Sequence, residues 1–221
     1  MPDVPATLAE SAIDQITEDI VHGRLIPGSK LRIDELRKRY RMGASPLREA
    51  LARLHAQGFV TNESRRGFRV AAVSKEDIRE ITEVRSLIEL KALETSIVLG
   101  GKEWEEQIVM QMARLRHTVQ SVHDDLVHLD PGVDGVHEAY HRSLIAGCRS
   151  PRLIGLQETY YDLAKRYRIV AFKHTPSKQN FLERHEILTD LVLSRRLEAA
   201  LAELRRHLDL IAINLPDDLH E

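Results

Sequence analysis

The sequence predicts a mostly α chain in two parts: a small N-terminal unit of three helices with a β-hairpin, then an antiparallel all-α bundle of about six helices. Three observations carry that reading. The length of 221 residues exceeds the usual single-domain size of about 100–150 residues. Apolar residues recur at helical spacing over most of the chain, and strand character is confined to residues 59–70. Charge is divided unevenly within a net of −2: residues 1–75 hold 13 Lys or Arg against 9 Asp or Glu, whereas residues 76–221 hold 19 against 25.

Composition narrows the class. With 43% hydrophobic and 30% charged residues, and no apolar run long enough to span a bilayer, the chain is expected to contain no membrane segment. Met1 to Ala6 lack the basic start and apolar stretch of a secretory signal, and the single Cys148 has no second cysteine to pair with. Both features point to the cytoplasm.

In the N-terminal part, Ile13, Ile16, Ile20 and Val21 mark a first helix over Ser11 to His22, stopped by Gly23. Pro27-Gly28 forms a turn, and Asp34 opens a second helix that carries Leu36 and Tyr40 and breaks at Gly43. Ser45-Pro46 reads as an N-cap followed by proline at the first helical position, opening a third helix that runs through Leu54 to Gly58. Two helices joined by a tight glycine turn predict a helix-turn-helix, and the strands Phe59 to Asn62 and Phe68 to Val70 around a polar turn predict a wing. Ala71 to Ser74 form a connector, with a capping box at Ser74 and Asp77, so the domains are expected at 1–73 and 74–221.

Between Lys30 and Arg69, 11 basic side chains face only 4 acidic ones. That excess suits phosphate, although a solvated basic face or a protein-interaction winged helix has the same composition. A helix entering the major groove by its N-terminus would present Ser45 and Arg48 from one face, and an arginine can pair with guanine O6 and N7. The wing tip Arg66-Gly67 would bring a cation and bare backbone to the adjacent phosphates or minor groove. The candidate DNA contacts are Arg32, Ser45, Arg48, Arg66 and Gly67.

Beyond the connector, Ile78, Ile81, Val84, Ile88, Ala92 and Leu99 form a helical stripe ending at Gly100-Gly101, and further helices are expected to begin near Trp104, Val136, Pro151, Ser177 and Leu197. Nine of the eleven histidines lie in this half, which directs attention to their spacing. His137 and His141 share a helix face with Leu144 and Cys148; His185 sits among Phe181, Leu188 and Val192; His207 flanks the stripe of Leu204, Leu208 and Ile211. Each imidazole alone suits a hydrogen-bonded core or surface role. Together they could hold a divalent metal ion such as zinc or nickel. Arg85 and Glu89, one turn apart, could be an ordinary ion pair, or Arg85 could turn inward and clamp a carboxylate. His117, His123 and His128 share no face and read as surface residues.

Gly23-Arg24-Leu25-Ile26-Pro27-Gly28-Ser29-Lys30-Leu31, Ser45-Pro46-Leu47-Arg48-Glu49-Ala50-Leu51, Gly58-Phe59-Val60 and Arg66-Gly67, in that order, resemble the signature of the GntR superfamily of transcriptional regulators. Tyr140-His141-Arg142-Ser143-Leu144-Ile145, His185-Glu186-Ile187-Leu188 and Arg206-His207-Leu208 resemble the FCD effector domain of its FadR subfamily. The resemblance implies that the histidines at 141, 185 and 207 bind metal, and it places His137 where the family usually has aspartate. It implies a non-enzymatic regulator, expected here to be a repressor: a homodimer on double-stranded operator DNA, released by a small carboxylate effector. Ala146-Gly147-Cys148 with Ser150, and Asp162-Leu163-Ala164 with Arg166-Tyr167-Arg168, resemble the CsiR repressor group, implying a glutarate-like dicarboxylate with Arg168 as second carboxylate partner. The chain departs from the family at Ala44 and Asp34, where the family has arginines that contact the operator. A metal-dependent hydrolase and a DNA-binding protein without effector are the alternatives, the former lacking a placed base or nucleophile.

Overall fold

The computed structural model describes residues 7–63, 67–123, 130–171 and 178–215, with backbone alone at 131 and 168–171. Contacts divide the chain between Ser74 and Lys75 into two compact units. No described helix is long and apolar enough to cross a membrane.

The first unit contains α1 (Leu8–Val21), β1 (Lys30–Leu31), α2 (Ile33–Tyr40), α3 (Ala44–Ala56), β2 (Val60–Glu63) and β3 (Gly67–Val70). Helix α1 begins three residues earlier than expected, because Thr7 and Glu10 form a reciprocal capping box with contacts of 3.2 and 2.7 Å. The start of α3 corrects the sequence reading: its N-cap is Gly43, without a side-chain cap bond, and Ser45 lies inside the first turn. Pro46 is tolerated there because first-turn amides have no intrahelical acceptor anyway. Helix α2 ends at Arg41, which adopts the left-handed conformation with φ 54° two residues before the glycine expected to break it.

The hairpin β2–β3 matches the expected wing, with Val60 opposite Val70 and Glu63 opposite Gly67. A third strand, β1, joins antiparallel to β3 through Lys30 and Leu31, giving the order β1-β3-β2. A two-residue strand has no alternation to read, so only its long-range pairing reveals it. Ile16 and Ile20 of α1, Leu36 of α2, and Leu47, Leu51 and Leu54 of α3 form the core with Leu31, Val60 and Val70. Asp19 on α1 accepts from Arg24 Nε at 2.5 Å, Arg39 Nε at 2.6 Å and Tyr40 Oη at 2.6 Å, tying α1 to the end of α2.

The second unit holds six helices among the described residues: α4 (Lys75–Leu99), α5 (Lys102–Ser121), α6 (Pro131–Ile145), α7 (Pro151–Ala171), α8 (Lys178–Leu193) and α9 (Leu197–Ile213), with a 3-10 turn at Ala146–Cys148. Helix α6 starts five residues before the expected Val136, because Asp130 caps it by accepting from Gly132 N at 2.8 Å and Val133 N at 3.0 Å, with Pro131 at the first position. Helix α4 packs against α7, α9 and the 3-10 turn, while α5 packs against α6 and α8. At the α4–α5 corner a side chain at Gly100 would meet Trp104 Cε3 at 2.1 Å, so only glycine fits. Trp104 is held there by its Nε1 donating to the Ser143 carbonyl at 2.9 Å and by Arg195 over its ring at 5.1 Å. Ile108, Leu115, Tyr140, Leu144, Leu188 and Leu204 fill the centre.

Candidate functional site

Three helices of the second unit aim imidazoles at one point. His137 and His141 project from the same face of α6, His185 from α8 and His207 from α9. His137 Nε2 lies 2.9 Å from His185 Nε2 and 3.1 Å from His141 Nε2, and His207 Nε2 lies 3.0 Å from His141 Nε2. The four candidate ligand atoms lie within 4.8 Å of one another; three of the rings are buried and His207 is half-buried. The structure thus brings together all four histidines singled out from helical spacing.

The donor chemistry fits a metal ion. His185 Nδ1 contacts the Phe181 carbonyl at 2.6 Å, and a carbonyl only accepts, so Nδ1 donates and the neutral ring turns the lone pair of Nε2 toward the cluster. A proton on His137 Nε2 can serve only one of its two close nitrogen neighbours well. A divalent cation would meet every lone pair at once, and metal–nitrogen bonds of about 2.0–2.1 Å place adjacent ligand nitrogens roughly 3.0–3.4 Å apart. Tyr161 Oη, 2.8 Å from His137 Nδ1, holds the outer side of that ring. An all-imidazole set suits zinc or nickel better than magnesium or calcium.

The cluster lines a cavity of about 340 Å³, together with Arg85, Tyr161 and Phe181 and an apolar wall from α9 that includes Leu208 and Ile211. Arg85, buried, donates Nε to Glu89 Oε1 at 2.8 Å and lies 5.2 Å from the Tyr161 ring centroid. The structure thus contains the Arg85–Glu89 ion pair, and Arg85 is among the residues lining the cavity. Its two Nη groups make no hydrogen bond among the described residues, which leaves a two-pronged donor face for an anion. At the lip, Arg184, Ile213 and Asn214 are exposed. Sequence reasoning missed Tyr161, Arg184 and Asn214. Arg184 precedes His185, and a one-residue step turns a side chain about 100° round the helix, so no stripe marked it. Arg168 sits on α7 by its backbone, but its side chain lies outside the described residues.

In the first unit, Ser45 and Arg48 are exposed, three residues apart at the start of α3, and Arg48 has no ion-pair partner among the described residues. Arg32, the N-cap of α2, is exposed and pairs with Glu35 at 3.3 Å. Gly67 is exposed with φ 83°, a backbone that a side chain would strain. Arg66 lies outside the described residues.

Comparisons with known proteins divide the chain along the same lines. The model of the bacterial regulatory proteins, gntR family, matches residues 8–70, and that of the FCD domain matches residues 80–210. The chain is 34% identical over 197 residues to the HTH-type transcriptional repressor GlaR of Escherichia coli (strain K12), covering 87% of this chain and 89% of that protein. It is 32% identical over 203 residues to the HTH-type transcriptional regulator BphR of Paraburkholderia xenovorans, covering 92% and 83%. Among solved structures, E. coli McbR/YncC aligns with a TM-score of 0.75 over 95% of this chain and 97% of that one, at 18% identity, which speaks for the fold alone.

Proposed function

The chain belongs to the gntR family of bacterial regulatory proteins and carries its FCD domain, and from that premise we propose that this transcriptional regulator is a repressor released from its operator by a small carboxylate bound beside a metal ion. DNA binding by the winged helix and regulation rather than catalysis follow from the family, and the metal-dependent hydrolase is set aside because the matched families and relatives are transcriptional regulators. The observation that carries the effector reading is the convergence of four Nε2 atoms in a cavity that Arg85 also lines.

His137, His141, His185 and His207 would hold the metal, zinc or nickel in character. The metal supplies a Lewis-acidic seat for an effector oxygen. Arg85 binds a carboxylate in bidentate fashion, Tyr161 orients His137, and the α9 wall excludes water from the apolar body of the ligand. The effector we propose is a short dicarboxylate of the glutarate class, whose second carboxylate would meet a further cation. Arg184, which pairs with no acidic group among the described residues, takes the role of second carboxylate partner at the lip of the cavity, the role that the sequence reading gave to Arg168. On DNA, Ser45 and Arg48 enter the major groove, Arg32 and the wing tip Arg66-Gly67 meet the backbone, and a cytoplasmic homodimer covers both halves of a pseudo-palindrome.

The test is a fluorescence-anisotropy titration of the purified protein on the promoter of its own gene, repeated with glutarate and with a monocarboxylate of equal length, alongside elemental analysis. Stoichiometric zinc or nickel and a tenfold or greater loss of operator affinity with glutarate are expected. Specific binding that no carboxylate alters would leave a DNA-binding protein without this effector, and absence of metal with unchanged behaviour of His141→Ala would remove the metal.

A further inference from the structure

The carboxylate of Glu89 lies between the two halves of the pocket. One oxygen, Oε1, accepts from Arg85 Nε at 2.8 Å, and the other, Oε2, faces His141 Nδ1 at 4.0 Å. All three side chains are buried: Arg85 is 4% exposed, Glu89 1% and His141 1%. Glu89 and Arg85 come from one turn of α4, and His141 comes from α6 across the bundle, its Nε2 in the four-histidine cluster. A carboxylate behind a ligating imidazole fixes the ring's orientation and makes its inner nitrogen a better donor to the metal. A carboxylate beside a guanidinium sets how much of that cation is left for an incoming anion.

We propose that Glu89 is a positioning residue shared by both seats, and that it couples metal binding at His141 to anion binding at Arg85. This rests on the reading of the cluster as a metal site. Its oxygen Oε2 needs to close by roughly 1 Å to reach hydrogen-bond distance of His141 Nδ1. Arg85 holds the same carboxylate from the other side and opposes that movement. An anion on the Nη groups of Arg85 offsets its charge, loosens its grip on Glu89 and lets Glu89 move to His141, so the two occupants strengthen each other. Binding linkage makes that reinforcement reciprocal.

A merely structural Glu89 would be replaced well by glutamine, which keeps the shape and an acceptor for Arg85 but not the charge. The experiment uses full-length protein, zinc in competition with a chromophoric chelator, and cobalt as a spectroscopic probe of the site. Glu89→Gln is expected to weaken zinc about 10–100-fold and shift the visible cobalt spectrum. Arg85→Gln, which removes the Arg85 hold on the Glu89 carboxylate, is expected to bind zinc at least as tightly as wild type. A buried pair stripped of one partner can compromise folding, so the double variant Arg85→Gln/Glu89→Gln, which removes both charges together, supplies the safeguard and is expected to match the weak zinc binding of Glu89→Gln. Wild-type zinc affinity in Glu89→Gln or in the double variant overturns the proposal and leaves the metal site standing. Equal weakening in Arg85→Gln and Glu89→Gln also overturns it, as the mark of a structural pair. A wild-type protein that binds neither zinc nor cobalt removes the metal site and this inference with it.

Discussion

Arg48 is the residue at which sequence and structure bear most directly on operator recognition. It is exposed, one turn into α3 and three residues from Ser45, and no acidic neighbour among the described residues holds it, whereas Arg32, Arg37 and Arg53 each have a carboxylate within 3.5 Å. A guanidinium already engaged must give up that partner to read a base; Arg48 has none to give up. Replacing it with alanine is expected to cost roughly 1–3 kcal/mol of specific binding and little non-specific binding, measured by anisotropy on operator and scrambled duplexes at one fixed salt concentration. Equal losses on both duplexes would make Arg48 a phosphate contact. Arg32→Ala is the useful contrast, since an exposed, paired arginine near the backbone should lower affinity uniformly and flatten the salt dependence.

At the scale of elements, the tie between α1 and α2 has a definite pH signature. Burial alone would raise the Asp19 carboxyl, but hydrogen bonds from Tyr40, Arg24 and Arg39 outweigh it and hold the group below its ordinary 3.8. A lowered folded-state value means that this stabilisation is complete above about pH 4 and is lost as the pH falls through and below that range. Asp19→Asn is therefore expected to destabilise the α1–α2 pairing by about 1–3 kcal/mol at pH 7, read from hydrogen exchange of α1 amides, with the gap to wild type closing at acid pH. A gap that persists at low pH would assign the effect to packing. This cluster also marks what the sequence conceals. The stripes of α4, α8 and α9, the wing and the i, i+4 pair His137 and His141 were legible because they are periodic and local. The partners of Asp19 on α2, the strand β1, Arg184 beside His185, and the approach of Glu89 to His141 across two helices depend on how elements pack, and periodicity carries no record of that. Ser45 was misread for a related reason: a serine before proline imitates an N-cap, and only the backbone of Gly43 reveals where the helix begins.

For the whole molecule, the proposed release of operator by a carboxylate is a statement about linked equilibria, and linkage constrains it without reference to how the two units are arranged. A carboxylate displaces the operator only if it binds the DNA-free protein more tightly than the DNA-bound protein, and the loss of operator affinity at saturation equals the loss of carboxylate affinity on the complex. Couplings of this kind are typically about 1–3 kcal/mol, or roughly 5–150-fold. Two independent titrations on metal-loaded protein therefore have to agree: operator affinity with and without saturating glutarate, and glutarate affinity by calorimetry with and without saturating operator duplex. The same factor is expected in both. Arg85→Gln should abolish the carboxylate response while leaving unliganded operator binding near wild type, because Arg85 belongs to the FCD unit and none of the DNA-facing candidates does. Glutarate binding that is equally tight on free and operator-bound protein would separate the pocket from regulation, since a ligand without preference between two states shifts neither, however tightly it is held.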